Sequence, residues 1–425
     1  MVNVKNIHHF ILICSFLFNF SNSAIEIPIK INSQKLPTIP ITLGGNQTFS
    51  VVVDTGSQHF WVADQSSTIN VTTKYTKSET YTNLAKPFSV KYNTGEEVKG
   101  ELGEDNFIMT SSPQIRMNFG LALTSSLILD DIDGVLGFGR NYINHTELND
   151  KSDLLLQLKN QDASLQRVFS LGYYYDSNTN KLEGTFSLGK VPDHINNSTN
   201  TSFTCKVLDS YVHEWACKVS HIIIGDPNSF RTTAIPVNRD AVFNTGSSVN
   251  ILPIDYLDII AKRLNKTTDC YNETIEGYEH LYCQNITNLS SIYFVFNEYG
   301  MSIDKENFFS YDKTKNNYVF RFMFSNKYDH IVFGTTLLKD YQLIFNGETN
   351  VVGFYNKTDT KIVNLSSVMK PHWFAYVLVI ILVVLEGVIA FWFVVWCKKS
   401  KSLRQTVDSA LISAESLDEI GGRLD

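Results

Sequence analysis

The sequence has little charge and no dense basic face. Charged residues make up 19% of its 425 residues, and the formal net charge is −7. Because the phosphates of a nucleic acid require a basic surface, we expect no nucleic-acid partner. The ten histidines are scattered without the spacing of metal ligands. The sequence therefore predicts no metal site and no cofactor.

Cysteine is scarce, with six residues in the chain. Cys14 lies in an apolar N-terminal segment, and Cys397 directly follows an apolar C-terminal segment, where it could be palmitoylated. The other four are Cys205, Cys217, Cys270 and Cys283. In an oxidising compartment they pair most simply as Cys205 with Cys217 and Cys270 with Cys283, although four cysteines allow three connectivities.

Long apolar segments lie at both ends of the chain. Residues 1–24 combine Lys5, an apolar run over 10–18 and small residues up to Ala24, which is the pattern of a cleaved signal peptide. A retained anchor is the alternative, but the apolar core is short for a bilayer span. The second apolar segment, residues 373–396, is long enough to cross a bilayer and has aromatic residues at both borders.

Basic residues directly after this second segment define its orientation. Lys398, Lys399, Lys401 and Arg404 place the tail, residues 397–425, in the cytoplasm by the positive-inside rule. The predicted topology is therefore single-pass type I. Glu386 near the middle of the span is protonated, paired with a transmembrane partner helix, or facing the interior of a helix bundle, for example through self-association. The tail is either a short sorting segment or a disordered extension.

A group of candidate N-glycosylation sites between the two apolar ends agrees with this orientation. They are Asn46, Asn70, Asn144, Asn196, Asn197, Asn200, Asn265, Asn272, Asn285, Asn288, Asn356 and Asn364. We therefore expect a glycosylated body that is luminal, in the secretory or endolysosomal pathway, or exposed at the cell surface.

The body between the apolar ends is predicted to be mainly β. With 43% hydrophobic residues, the chain is long enough for two packed lobes. Alternating apolar stretches such as 290–296 and 317–323 predict strands. Two matching motifs, Asp54-Thr55-Gly56-Ser57 and Asn244-Thr245-Gly246-Ser247, each follow an apolar run and lie 190 positions apart. Each predicts a buried strand and a tight glycine turn, as expected of a duplicated lobe.

With these motifs, the chain from about residue 25 to about residue 356 resembles the pepsin-like aspartic proteases. Residues 54–61 are similar to the family's first active-site loop, including Trp61 behind the flap. Residues 88–95 are similar to the flap hairpin, whose tyrosine, here Tyr92, closes over a bound peptide. Residues 133–137 and 331–334 are similar to the two segments that thread behind the active-site loops.

The resemblance implies a bilobal acid-protease fold followed by a transmembrane helix. We expect an N-terminal lobe over 25–195, a C-terminal lobe over 196–356 and a stalk over 357–372. Only about 30 residues separate Ala24 from Asp54, which leaves no room for the family's inhibitory prosegment. The residues expected in the catalytic pair and the peptide-binding loops are Asp54, Asn244, Thr55, Gly56, Ser57, Trp61, Tyr92, Thr245, Gly246 and Ser247.

The same resemblance assigns roles to the hydroxyl residues of the two motifs. Thr55 and Thr245 are expected to hold the loops through reciprocal hydrogen bonds. Ser57 and Ser247 are expected to orient the carboxylate and the amide from outside.

Asn244 stands where the family has its second catalytic aspartate. Two carboxylates that share one proton can act as base and acid in turn. An amide can donate a hydrogen bond to a carbonyl oxygen, but it cannot give or take the proton. We therefore expect Asp54 to titrate as a single carboxyl group, and the protein to be a catalytically impaired homologue that binds peptides in its cleft. The alternative is an active aspartic endopeptidase that keeps weak activity through Asp54.

Overall fold

The computed structural model describes residues 24–92, 95–110, 112–127, 129–140, 152–176, 181–192, 202–227, 234–289, 291–356, 362–365 and 373–421. They fall into two compact units, one up to Leu365 and the other from Ser366 onward. The first unit, called the body here, is mainly β, and the second is a helix. Apart from Ala24, the predicted signal peptide lies outside the described residues.

The first half of the body is built from short, mostly antiparallel strands and a helix. The strands are β1 (Ile25–Ile31), β2 (Pro37–Leu43), β3 (Gln47–Asp54), β4 (Phe60–Ala63), β5 (Thr82–Lys91), β6 (Glu97–Ile108), β7 (Ile115–Ser125), β8 (Gly134–Gly137), β9 (Val168–Asp176) and β10 (Lys181–Leu188). The helix is α1 (Leu154–Gln161), and the Asp153 carboxylate caps its first turn by accepting from the Leu156 amide at 3.0 Å.

The second half repeats this mixture of strands and short helices. Its strands are β11 (Ser202–Lys206), β12 (Ala216–Ile224), β13 (Ile235–Phe243), β14 (Asn250–Pro253), β15 (Cys270–Ile275), β16 (Tyr278–Cys283), β17 (Ile292–Phe296), β18 (Tyr299–Ile303), β19 (Phe309–Asp312), β20 (Asn317–Ser325), β21 (Ile331–Phe333), β22 (Tyr341–Asn346), β23 (Val351–Asn356) and β24 (Ile362–Asn364). Its helices are α2 (Leu257–Leu264), α3 (Lys305–Phe308) and α4 (Thr335–Leu338), and a 3₁₀ turn over Ile254–Tyr256 precedes α2.

Two sheets organise these strands. In the first sheet the hydrogen-bonded order is β11, β23, β22, β9, β10, β1, β2, β3, β8, β4, β7, β6 and β5, and β2 also pairs with β6. In the second sheet it is β15, β16, β20, β14, β21, β13, β12, β17, β18 and β24, with β19 beside β20. This mainly β, two-sheet architecture confirms the predicted bilobal fold class.

The first sheet contains strands from both halves of the chain. β22 pairs antiparallel with β9, which places Phe345 opposite Phe169, and their rings stack with centroids 4.7 Å apart. The two halves therefore share a sheet and a hydrophobic core. Residues 193–201, which contain the predicted lobe border, lie outside the described residues, so that border stays a prediction.

Each matching motif ends a strand that pairs in parallel with a second short strand. β3 leads into Asp54 and pairs with β8, and β13 ends at Phe243 and pairs with β21. Their apolar side chains are buried, as expected of parallel strands that are covered on both faces. Both motifs therefore begin at the end of a buried strand, and each of these strands belongs to an equivalent parallel pair in the body.

Both predicted disulfides are present. Cys205 on β11 bonds Cys217 on β12, which joins one strand of the first sheet to one of the second. Cys270 and Cys283 lie directly opposite each other on β15 and β16 and are also bonded. Of the three possible connectivities, the structure therefore has the one that joins cysteines close in sequence.

The segment predicted as a stalk is partly folded into the body. Residues 362–364 form β24, which pairs antiparallel with β18, and Ile362 is buried. Leu365 is also buried, and its amide donates to the Glu298 carbonyl at 2.6 Å. The body therefore continues to Leu365, beyond the boundary predicted at residue 356 and towards the predicted transmembrane segment.

The second unit is one helix, α5 (Trp373–Gly421). Residues Val377–Ala410 contain a stretch long and apolar enough to cross a membrane. The helix continues well past residue 396 into the predicted tail, which differs from one of the two expectations for the tail, a disordered extension. No proline occurs after Pro371, and no glycine lies between Gly387 and Gly421, so no helix-breaking residue interrupts the part of the helix beyond residue 396.

Candidate active site

The two matching motifs meet in the body through their threonines. The Thr55 amide donates to the Thr245 hydroxyl at 3.1 Å, and the Thr245 amide donates to the Thr55 hydroxyl at 2.9 Å. The Thr55 hydroxyl donates to the Phe243 carbonyl at 2.7 Å, and the Thr245 hydroxyl donates to the Val53 carbonyl at 2.6 Å. Both threonines are fully buried, so these bonds fix the two loops against each other. The reciprocal bonds implied by the resemblance are present.

Asp54 and Asn244 occupy equivalent positions in the two loops. The Gly56 amide donates to Asp54 Oδ1, and the Gly246 amide donates to Asn244 Oδ1, both at 2.8 Å. A Cβ on Gly56 would lie 2.4 Å from Asn244 Cγ, and one on Gly246 would lie 2.3 Å from Asp54 Oδ1. Each loop therefore needs glycine, because its backbone packs against the carboxyl or amide of the opposite loop.

The amide of Asn244 has a defined orientation in this arrangement. Its Oδ1 accepts the Gly246 N–H, as Asp54 Oδ1 accepts the Gly56 N–H. The Nδ2 group is then the donor that Asn244 can offer to a carbonyl oxygen in the cleft. The site thus pairs one carboxyl group with one amide donor.

Burial dominates the electrostatics of Asp54, whose relative exposure is 6%. Burial raises the pKa of its carboxyl group above the ordinary value of 3.8. The nearby Ser57 hydroxyl and the amides of Gly56, Gly246 and Ser57 lower the pKa but do not cancel this effect. Asp54 therefore binds its proton more tightly than an exposed aspartate does.

Neither serine hydroxyl makes the orienting hydrogen bond that the resemblance implies. The Ser57 hydroxyl is buried near the Asp54 carboxyl group and lowers its pKa, but it has no hydrogen-bond partner of normal geometry among the residues that the structure describes. The Ser247 hydroxyl instead donates to the Val249 carbonyl at 3.0 Å and accepts from the Val249 amide at 3.3 Å. The expected orienting role of Ser247 is thus not observed, because its hydroxyl closes a local turn in the loop.

Two glycine segments support the loops from behind, at the positions implied by the resemblance. A Cβ on Gly137 would lie 2.6 Å from the Ser57 carbonyl oxygen, and one on Gly334 would lie 2.6 Å from the Ser247 carbonyl oxygen. The Phe138 amide also donates to the Asp54 carbonyl at 2.6 Å. The two halves therefore support their loops through the same close backbone approach.

The hairpin of β5 and β6 brings Tyr92 towards the site. The Trp61 indole N–H donates to the Tyr92 hydroxyl at 2.9 Å, and Trp61 is fully buried. The pKa of Tyr92 is raised by burial and by the negative charge of Asp54, so its ring lies near that carboxylate. The hairpin tip at residues 93 and 94 lies outside the described residues.

Glu214 is a further residue near the site, and no sequence motif points to it. It lies outside both motifs, yet its carboxylate interacts electrostatically with that of Asp54. The pKa of Glu214 is raised by burial, lowered to a lesser extent by His330 and raised by Asp54. Only the fold brings residue 214 to the loop at residue 54.

Comparison with known proteins agrees with this geometry. The family model described as eukaryotic aspartyl protease matches residues 38–357, so the chain belongs to that family. Gastricsin of Cavia porcellus is 25% identical over 258 residues, which cover 59% of this chain and 61% of gastricsin. Chymosin of Bos taurus is 24% identical over 321 residues, which cover 72% of this chain and 77% of chymosin.

A fungal relative shows similar divergence over a shorter match. Rhizopuspepsin-1 of Rhizopus niveus is 28% identical over 215 residues, which cover 49% of this chain and 52% of that protein. The chain thus spans less than two thirds of both gastricsin and rhizopuspepsin-1.

Proposed function

We propose that this protein is a membrane-anchored, catalytically impaired aspartic protease homologue that binds peptides in the cleft between its two active-site loops. One observation carries the proposal: the Asn244 amide occupies the position equivalent to the Asp54 carboxyl group, with the same 2.8 Å bond to its own loop. The shape of a catalytic pair is thus retained without its second acid.

In this proposal, the chemistry of an amide explains why the site can bind peptides but cleaves them poorly. A peptide carbonyl placed between the loops can accept a hydrogen bond from Asn244 Nδ2. Hydrolysis also requires a proton to move between two groups that exchange acid and base roles, and Asn244 has no such proton. Losing one positioned acid–base group costs about 100-fold to 10,000-fold in rate.

A second candidate function is supported by the state of Asp54. Its carboxyl group keeps the 2.8 Å hydrogen bond from the Gly56 amide, and Tyr92 lies near it. In that case Asp54 activates a water molecule, Asn244 Nδ2 polarises the scissile carbonyl, and the protein is a weak aspartic endopeptidase.

The proposed setting is a single-pass type I membrane protein with its body in the lumen or outside the cell. The support is the apolar N-terminal segment, the sequons between residues 46 and 364, and the lysines that follow the apolar part of α5. The body would then act in the secretory or endolysosomal pathway or at the cell surface.

A capture experiment separates the two functions. The full-length protein, purified in detergent, is incubated with a mixed peptide library at pH 4 and at pH 7, beside an Asp54→Ala variant. Mass spectrometry then identifies retained and cleaved peptides. Retention of intact peptides, without cleavage above the Asp54→Ala level, supports the proposal. Cleavage by the natural protein that is lost in Asp54→Ala supports the endopeptidase function. If peptides are neither retained nor cleaved, both proposed functions are contradicted.

A further inference from the structure

Glu214 is held between the two active-site loops by the backbone on either side of it. The carbonyl of His213 accepts the Arg140 amide at 2.9 Å, just after the segment that supports the Asp54 loop. The carbonyl of Trp215 accepts the Phe243 amide at 2.9 Å, at the residue before Asn244. The position of residue 214 is therefore fixed relative to both loops.

The neighbouring tryptophan makes this placement rigid. Trp215 is buried, and its indole N–H donates to the Phe138 carbonyl at 2.8 Å. Its ring packs edge-on against Phe169 at 5.8 Å and against Phe345 at 5.3 Å. While Trp215 is anchored in the core, Glu214 keeps part of its surface exposed.

The Glu214 carboxylate has no cationic partner among the residues that the structure describes. No lysine, arginine or histidine nitrogen of that set lies within 4.0 Å of it. The carboxylates of Glu214 and Asp54 instead repel each other, and His330 attracts Glu214 from a longer distance. Two carboxylates thus share one part of the cleft, and a partly buried carboxylate is stabilised when a cation joins it.

Aromatic rings border the same part of the cleft. The His330 ring packs edge-on against Tyr211 at 6.1 Å and against Tyr328 at 5.6 Å, and its Nδ1 lies 2.9 Å from the Asp329 carboxylate. Burial raises the pKa of Tyr211 to about 12, and the charges of Asp240, Asp329 and Glu214 add to this effect, so that ring lies near residue 214. The methylene stem of a lysine or arginine packs well on such rings while its head reaches a carboxylate.

We propose that Glu214 is a specificity-determining residue that selects peptides carrying a lysine or arginine side chain beside Asp54. This inference rests on the proposed peptide-binding function and names the class of peptide that the cleft prefers. The cation would lie between the Glu214 and Asp54 carboxylates and relieve their repulsion. An acidic side chain at the same position would add a third negative charge.

A peptide scan tests this assignment with the full-length protein in detergent at pH 7. Fluorescein-labelled octapeptide pools carry lysine, norleucine or glutamate at one position at a time, and fluorescence anisotropy gives Kd. Norleucine keeps the stem of lysine and lacks its ammonium group. Because hydrogen bonds to charged groups are stronger than those between neutral groups, we expect lysine to bind at least about tenfold more tightly than norleucine at one position, which corresponds to about 1.4 kcal/mol.

Two variants show whether Glu214 causes the preference. Glu214→Gln should bind lysine and norleucine pools equally within about twofold, because its amide carries no charge. Circular dichroism and an unchanged Tm show that the variant is folded. The matched control is Glu298→Gln, which makes the same charge change at an exposed residue in the turn between β17 and β18. It should keep the lysine preference.

The outcomes distinguish this inference from the function on which it rests. If the natural protein binds lysine and norleucine pools equally, the inference is wrong and the peptide-binding function stands. If Glu214→Gln keeps the lysine preference, another residue determines specificity and the inference is also wrong. If no pool binds the natural protein, the proposed function itself fails, and the inference fails with it.

Discussion

Restoring the second acid is the most direct perturbation of this site. In an Asn244→Asp variant the new carboxylate has almost the same shape as the amide, so its Oδ1 can keep the 2.8 Å bond from the Gly246 amide. Its other oxygen replaces Nδ2, against which Gly56 packs in the natural protein. Little rearrangement is needed, and the variant should therefore gain a working catalytic pair.

The size of the gain follows from the chemistry that is restored. One positioned acid–base group contributes about 100-fold to 10,000-fold in rate, so kcat/KM should rise by that factor at acidic pH. The profile of kcat/KM against pH should become bell-shaped, because two coupled carboxyl groups must carry one proton between them. The assay is cleavage of a fluorogenic peptide pool between pH 3 and pH 7.

A swapped variant supplies the control. Asp54→Asn combined with Asn244→Asp exchanges the carboxyl and the amide between the loops without changing the composition of the site. This double variant again has one carboxylate and should be as inactive as Asp54→Ala. The reasoning is refuted if natural protein and Asn244→Asp cleave equally fast while Asp54→Ala abolishes cleavage. It is also refuted if the swapped variant matches Asn244→Asp.

Three further changes test the remaining interactions of the site. Because burial raises the folded-state pKa of Asp54 above 3.8, the folded protein loses stability as pH rises from the unfolded pKa through the folded one. Asp54→Asn should therefore raise Tm at pH 7 and change it little at pH 3, as measured by calorimetry; equal shifts at both would contradict this. Thr245→Val removes the acceptor of the buried Thr55 amide and should lower the free energy of unfolding by about 1–3 kcal/mol in urea titrations. Tyr92→Phe removes the acceptor of the Trp61 indole and should weaken peptide binding a few-fold, with a change in tryptophan fluorescence.

The sequence predicted most of this site because its motifs are local and repeated. The Asp54 and Asn244 motifs, with their glycines and threonines, carry enough pattern to predict a paired loop and its reciprocal hydrogen bonds. The disulfide pairing could also be predicted from the sequence, since each disulfide joins cysteines 12 or 13 positions apart.

Other features depend on long-range packing and could not be predicted from local patterns. Glu214 reaches the site because residues on either side of it bond to backbone near both loops. The Ser247 hydroxyl bonds the Val249 carbonyl and not the Asn244 amide, and the motif alone does not show which of these two partners it takes. Strand β24 forms because residues 362–364 find a free edge at β18, more than 50 positions earlier in the chain.

Having an amide at residue 244, where the family has a carboxyl group, should favour the stability of the folded site and disfavour peptide hydrolysis. A second buried carboxyl group would have to share a proton with Asp54 or carry a second charge in a region where burial already raises the Asp54 pKa. The amide avoids that cost and keeps the 2.8 Å bond to Gly246, so the loops stay locked at neutral pH without a shared proton. The same substitution removes the proton shuttle that hydrolysis needs. Under the proposed function, a cleft that is stable near neutral pH and does not turn peptides over is the combination that peptide binding requires.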